Sequence, residues 1–408
     1  MHYIGKLLRQ LSCTDQRSRV EYYMIRAILI SFFLIPFIFL TSLPEAYAAD
    51  LPAETIPNVA TLPEKYPDTW VFAHDFNFYS ILDGKVAIVD VASPSRNFKG
   101  SIGASGFASF QHSNSRPELY SAQSFSSRGT YGERTDVVVI YDTASLQPID
   151  EIIIPTKRQQ IVTQINSFQL TDEERMGLVM NFTPAASVTI LDLVNRKVLG
   201  EIPIPGCNLV FPTGKRGFST LCADGTLASF VLSEAGAVVS SSRTEPFIDI
   251  DNDPIFVKNA TVGGITYFPS FLARVQPIDF RSEEPRILDD WSLVPEELSK
   301  ENWRPSGWQV VAGNDEELFV VMQANGKEGS HKDGGTEVWV YKPESGTLAR
   351  RIKLETPGGS IAVTRSKPSY LVVTNAEMFL DVYAAASGSH LRAITVGDVA
   401  TPIVVHAN

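Results

Sequence analysis

Cysteine, histidine and helical periodicity are what this 408-residue chain has least of, and each scarcity closes off a class of chemistry. Three cysteines and six histidines are too few and too scattered to make a metal-ligand spacing. Beyond residue 48 the histidines are His74, His112, His331, His390 and His406, and neither C-x-x-C nor H-E-x-x-H occurs. The G-x-S-x-G elbow and the phosphate cradle G-x-x-x-x-G-K-[ST] are also missing. Asp249-x-Asp251-x-Asp253 starts like a calcium loop, but Pro254 replaces the required glycine and Ala260 the bidentate glutamate, so it reads as a solvated acidic turn. The expectation is that no catalytic, cofactor-binding or metal-binding residue lies on this chain.

Positive charge is scarce too. The first 48 residues read as a secretory signal peptide: Ile25-Arg26, an apolar block from Ala27 to Leu43, then the small-x-small site Ala46-Tyr47-Ala48. Translation starts at Met1 or at Met24, and a retained membrane anchor is the rival reading of the block, which is interrupted by Pro36. Removing the leader takes five basic and three acidic residues from 35 and 46, leaving 30 against 43, a net charge of −13. Such a surface repels phosphate backbones, which argues against nucleic-acid binding. Cys13 leaves with the leader, so Cys207 and Cys222 are an even pair in an oxidising compartment. One disulfide is expected, two buried free thiols being the alternative.

What remains is strand after strand. Residues 49–68 read as an extended, proline-rich arm, and residues 69–408 as one domain of short Val/Ile/Thr/Tyr/Phe runs between Gly, Pro, Asn, Asp and Ser clusters. A helical turn is expected at Val294–Lys300, where Pro295 precedes two glutamates, and Thr171–Met176 reads either as a helical turn or as an acidic strand connection. Aligned on their turns, the strands repeat from Val86, Val137, Ser187, Thr226, Leu272, Thr336 and Met378. Most of these steps fall near the 40 to 50 residues of one propeller blade. Seven units predict an all-β fold, a seven-bladed β-propeller. An open sheet edge is a liability, so the C-terminal strand around Ile403–Val405 is expected to close the ring by joining the blade of Trp70–Phe72 and Val86–Asp90.

The most distinctive stretch is Trp303–Tyr341. Its Arg304-Pro305-Ser306-Gly307 turn leads to two strands, Leu318–Met322 and Val338–Tyr341, separated by a glycine-rich loop carrying His331 and Lys332, which are expected to face water. Taken alone the stretch is a sheet unit with a core tryptophan.

The order of Cys207 and Cys222, then WRPSGWQ, then GKEGSHK followed by EVWVY, together with SRGTYGERTDVVVIYD at Ser127–Asp142, resembles the heavy subunit of periplasmic quinoprotein amine dehydrogenases, the methylamine and aromatic amine dehydrogenase family. The resemblance implies a seven-bladed propeller paired with a small disulfide-rich light subunit, two heavy and two light. It implies that the light subunit carries tryptophan tryptophylquinone, that primary amines become aldehyde and ammonia, and that electrons pass to a blue copper protein of the amicyanin or azurin kind. It also implies a heavy-chain disulfide at Cys207 and Cys222, and a phenylalanine lining the substrate passage. Phe107 in SIGASGFASF fits that phenylalanine, with Phe110 as the competing choice. The alternative function is a stand-alone exported β-propeller binding protein derived from that family.

Overall fold

The computed structural model describes residues 60–158, 164–397 and 400–408. The leader, the start of the arm and the start-codon question lie outside the described residues. Residues Thr61–Asn408 form one compact unit. The end of the arm within it is tied down: Tyr66 is buried against Trp70 and Phe72, and its hydroxyl donates to the Thr143 carbonyl at 2.7 Å.

The β-rich runs fold into antiparallel sheets arranged as a propeller. Among the described residues five sheets are separate. The first contains Pro402–Ala407, Trp70–Asp75, Lys85–Asp90 and Phe98–Gly103, in that order. The second runs from Ser109–His112 to Pro148–Ile154, the third from Phe168–Thr171 to Lys197–Pro203, and the fourth from Cys207–Pro212 to Val238–Arg243. The fifth begins at Ala260–Val262 and ends at Arg286–Ile287, with Trp291–Ser292 also pairing to its third strand. The expectation of seven separate blades is corrected here. From Arg304 to Ile394 the chain forms one eight-stranded sheet, because Thr347–Val363 is a single 17-residue strand. Its first half pairs with Gly335–Lys342 and its last six residues with Tyr370–Asn375, so no break separates the two halves.

The C-terminal strand pairs as expected. Phe72 lies opposite His406 and Ala73 opposite Val405, which makes Pro402–Ala407 the inner edge of the first sheet. Residues from the first strand of each sheet, among them His112, Gln169, Phe211, Thr261 and Ala407, line one axial cavity of about 550 Å³. The core lies between sheets rather than at the axis. In Lys85–Asp90, Val86 and Ile88 pack with Phe110 and Val137 of the second sheet, while Ala87 and Val89 pack with Ala362, Val372 and Val382 of the eight-stranded sheet. A strand buried on both faces needs no polar alternation, which is why the middle strands read as continuous apolar runs. The outermost strand Val238–Arg243 is exposed at every position.

The helical turn expected near Val294 is a 3-10 helix at Glu296–Glu301. Thr171–Met176 is a strand-to-strand turn with left-handed residues Asp172, Glu173 and Glu174.

Candidate functional site

An antiparallel meander places its second-to-third connection and its link to the next sheet at the same end. In the first sheet that end carries the segment between Asp75 and Lys85 and the link between Gly103 and Ser109. Phe76 is buried, whereas Phe78, Tyr79 and Ile81 are exposed, Tyr79 by 80 %. Phe107 projects from the link, half-buried, its ring centroid 6.1 Å from Phe76 and 5.9 Å from Phe78. Equivalent segments of the other sheets expose Tyr131, Phe182, Ile250, Leu272 and Phe379. These exposed apolar residues share one end of the propeller.

Phe110, the competing choice, sits elsewhere. It is 2 % exposed, with its ring 5.0 Å from Phe72 and 5.1 Å from His406, so it belongs to the core between the first and second sheets. Phe107 is the one of the two that reaches the loop face.

The backbone that carries Phe107 is unusual. Gly106 and Phe107 both adopt left-handed conformations, φ +67° and +51°. A Cβ on Gly106 would stand 2.7 Å from the Ser124 carbonyl oxygen, so only glycine fits there. For phenylalanine the left-handed region costs about 1–2 kcal/mol, so neighbouring contacts must hold it. The Gly106 amide donates to the Ile81 carbonyl at 2.8 Å, and the Ser105 amide to Gln123 Oε1 at 2.9 Å. Arg158, 1 % exposed, donates from Nη1 to the Phe107 carbonyl at 2.9 Å and from Nη2 to the Gly106 carbonyl at 2.6 Å. Burial pulls its pKa down to about 10, partly opposed by the Asp136 carboxylate. The motif around Ser127–Asp142 supplies that carboxylate: Asp136 is fully buried and accepts a bidentate pair from Arg134 at 2.7 and 2.6 Å.

His112 and His406 lie on the innermost strands of the second and first sheets, and His74 on the strand next to that of His406. His74 and His406 are buried, each with an Nε2 that has no hydrogen-bond partner among the described residues. Burial drives the pKa of His74 well below the ordinary value, that of His112 to about 4 and that of His406 to about 3. All three are neutral at pH 7 and packed against aromatic rings. Among the described residues no group of three or more His, Cys, Asp or Glu is placed to hold a metal ion.

Cys207 and Cys222 lie directly opposite on neighbouring strands and form a disulfide. Beside it an apolar groove of about 420 Å³ is lined by Met180, Phe182, Ile248 and Ile250. Trp308 is half-buried beneath the Lys258 ammonium, 4.6 Å from the ring. The water-facing expectation for His331 is corrected. It packs against Phe256 and Phe271 and its Nδ1 is buried, because the Ser330–Lys332 turn folds back on the fifth sheet, leaving Lys332 exposed. Arg158, Phe78 and Tyr79 were not singled out from the sequence. Arg158 follows Pro155-Thr156-Lys157, a context indistinguishable from a solvated basic loop.

These features define a β-propeller with exposed aromatic and aliphatic residues on one loop face. Solved structures match the fold alone: a protein of unknown function from Desulfotomaculum acetoxidans has a TM-score of 0.53 at 10 % identity, with 80 % of this chain and 95 % of that one covered. The Myceliophteria thermophila Cps50 β-propeller domain has a TM-score of 0.50 at 11 % identity, with 82 % and 98 % covered. The chain belongs to the methylamine dehydrogenase heavy chain family, whose sequence model matches residues 91–407. The Methylobacillus flagellatus methylamine dehydrogenase heavy chain is 28 % identical over 255 residues, 62 % of this chain and 63 % of that one. The Paracoccus versutus heavy chain is 27 % identical over 272 residues, 64 % and 62 % of the two chains. The chain thus spans a little under two thirds of the length of these relatives.

Proposed function

We propose that this chain is the non-catalytic heavy subunit of a periplasmic amine dehydrogenase, an oxidoreductase acting on primary amines, in a complex of two heavy and two light subunits. The observation that carries the reading is the loop face with Phe78, Tyr79 and Phe107 at one end of a chain whose family is that of methylamine dehydrogenase heavy chains. A small disulfide-rich light subunit docks on that face. Tryptophan tryptophylquinone, built within the light subunit, would supply the two-electron oxidation by which a primary amine and water give aldehyde and ammonia, with two protons released and the two electrons passed to a blue copper protein. This chain contributes the support and, at Phe107, one wall of the substrate passage. A bulky apolar wall excludes water and selects substrates by size.

The ring itself is read as seven-bladed. The long strand Thr347–Val363 serves the sixth blade with its first half and the seventh with its second, as its two sets of partners support. The seven repeat units support the same count, each beginning at or close to the third strand of a blade.

Expression of the mature chain with a candidate small, cysteine-rich partner tests the proposal. Co-purification and amine-dependent dye reduction are expected, and Phe107→Ala should shift the preferred amine size without abolishing dye reduction. A soluble chain that ignores the partner would instead favour a stand-alone exported binding protein.

A further inference from the structure

We propose that Arg158 is a positioning residue: its guanidinium clamps the two left-handed residues Gly106 and Phe107 and thereby sets where the Phe107 ring stands on the loop face. The inference rests on reading Phe107 as a wall of the substrate passage.

A guanidinium with 1 % exposure is costly to bury, and an apolar side chain of similar volume would pack this junction at less cost. Its donors are committed in one direction. Nη1 and Nη2 reach the Phe107 and Gly106 carbonyls at 2.9 and 2.6 Å, while Nε and Nη2 reach Ser124 Oγ at 3.2 and 2.9 Å. Ser124 Oγ in turn donates to Asp136 Oδ1 at 2.8 Å, and the Arg158 backbone amide donates to Asp136 Oδ2 at 3.0 Å. The carboxylate therefore anchors the arginine through its backbone and through a serine relay, leaving the planar fork for two consecutive carbonyls of one loop. Only a planar, multi-donor group meets two adjacent carbonyls in this way; a lysine carries equal charge without the fork. The result is a chain of fixed contacts from Arg134 through Asp136, Ser124 and Arg158 to the Phe107 backbone. From there the ring meets Phe76 and Phe78.

The test uses Arg158→Lys, with Ser124→Ala as a milder variant should the lysine chain fail to fold. In the heavy chain alone, deuterium exchange of the amides at 104–108 should rise about tenfold or more, as expected for losing charge-assisted hydrogen bonds, while peptides around Trp339 stay protected. In the complex, the ratio of kcat/KM for methylamine to that for a bulky arylalkylamine should move several-fold in the direction set by Phe107→Ala, which a merely structural loss would not do. Unchanged exchange at 104–108, or equal acceleration throughout the chain, overturns the clamp. A ratio that moves in Phe107→Ala but not in the Arg158 or Ser124 variant overturns the positioning role. Faster local exchange with a ratio unmoved in every variant upholds the clamp and overturns the passage reading instead.

Discussion

Gln309→Ala is the sharpest probe of how the ring is held closed. Gln309 is 7 % exposed and bridges two inner strands: Nε2 donates to the Ile361 carbonyl at 2.6 Å and to the Val405 carbonyl at 2.8 Å, and Oε1 accepts from the Val405 amide at 3.1 Å. Removing the amide strands one buried N–H, that of Val405, and takes a donor from two carbonyls, Val405 in the C-terminal strand and Ile361 in Thr347–Val363. An unsatisfied buried donor costs about 1–3 kcal/mol, and each of the two lost carbonyl bonds adds about 0.5–1.5 kcal/mol, so the variant should lose about 2–6 kcal/mol. For a domain of this size about 2 °C accompanies each kcal/mol, giving a fall in Tm of about 4–12 °C. Thermal unfolding followed by circular dichroism at pH 7.5 reads this directly. Gln309 also lines the axial cavity, so water is the one agent that could replace its amide. A Tm within 1 °C of the parent would mean that the strand is satisfied from the cavity and that this side chain does not hold the ring.

Three further outcomes follow from the same geometry. Deleting Thr401–Asn408 removes the inner strand of the first sheet and leaves Asp75 without the two bonds from Thr401, so the truncated chain should fail to accumulate as a soluble protein with native circular dichroism. His74, His112 and His406 are neutral in the fold and become protonated in the unfolded chain below about pH 6.5, so stability should drop as pH falls through the window from 6.5 towards 4. The slope is up to about 1.4 kcal/mol per pH unit for each histidine, and a Tm series at pH 7, 6 and 5 should flatten measurably in His406→Phe. Trp339 is fully buried, with the Arg351 guanidinium 4.7 Å from its ring and its indole N–H bonded to Glu337, so Trp339→Ala should cost about 3–5 kcal/mol in a denaturant titration.

The repeat was legible because every blade needs a middle strand buried on both faces. Val137–Ile140, Val188–Leu191 and Val338–Tyr341 are such runs, and they fall in the third strand of their sheets. Closure was legible for a related reason: Thr401–His406 had strand composition but no partner within its own repeat. The WRPSGW turn also behaves as its residues require, since Gly307 has φ +129° and a Cβ there would stand 2.5 Å from the Gly359 carbonyl oxygen. The fused sheet was not legible. Thr347–Val363 contains Pro357-Gly358-Gly359, which reads as a breaker, yet Gly358 pairs with both Gly335 and Asn375 and carries the strand through.

The candidate site was legible only at its motif. The segment Ser127–Asp142 stood out as a unit, but sequence alone offered no reason for Arg134 and Asp136 to be set two residues apart on one strand. The structure gives one. Residues at that spacing share a face, so Arg134 can chelate the Asp136 carboxylate while that carboxylate, at zero exposure, still receives Ser124 and the Arg158 backbone. An aspartate with one cation would be satisfied by that pair; this one takes two further donors, both leading to Arg158. The apparent excess of polar contacts in the second sheet is thus explained at a distance of several residues, in the two left-handed backbone positions at Gly106 and Phe107 that the network restrains. No pattern within 104–108 announces that restraint, because the partner that imposes it lies some fifty residues further along the chain.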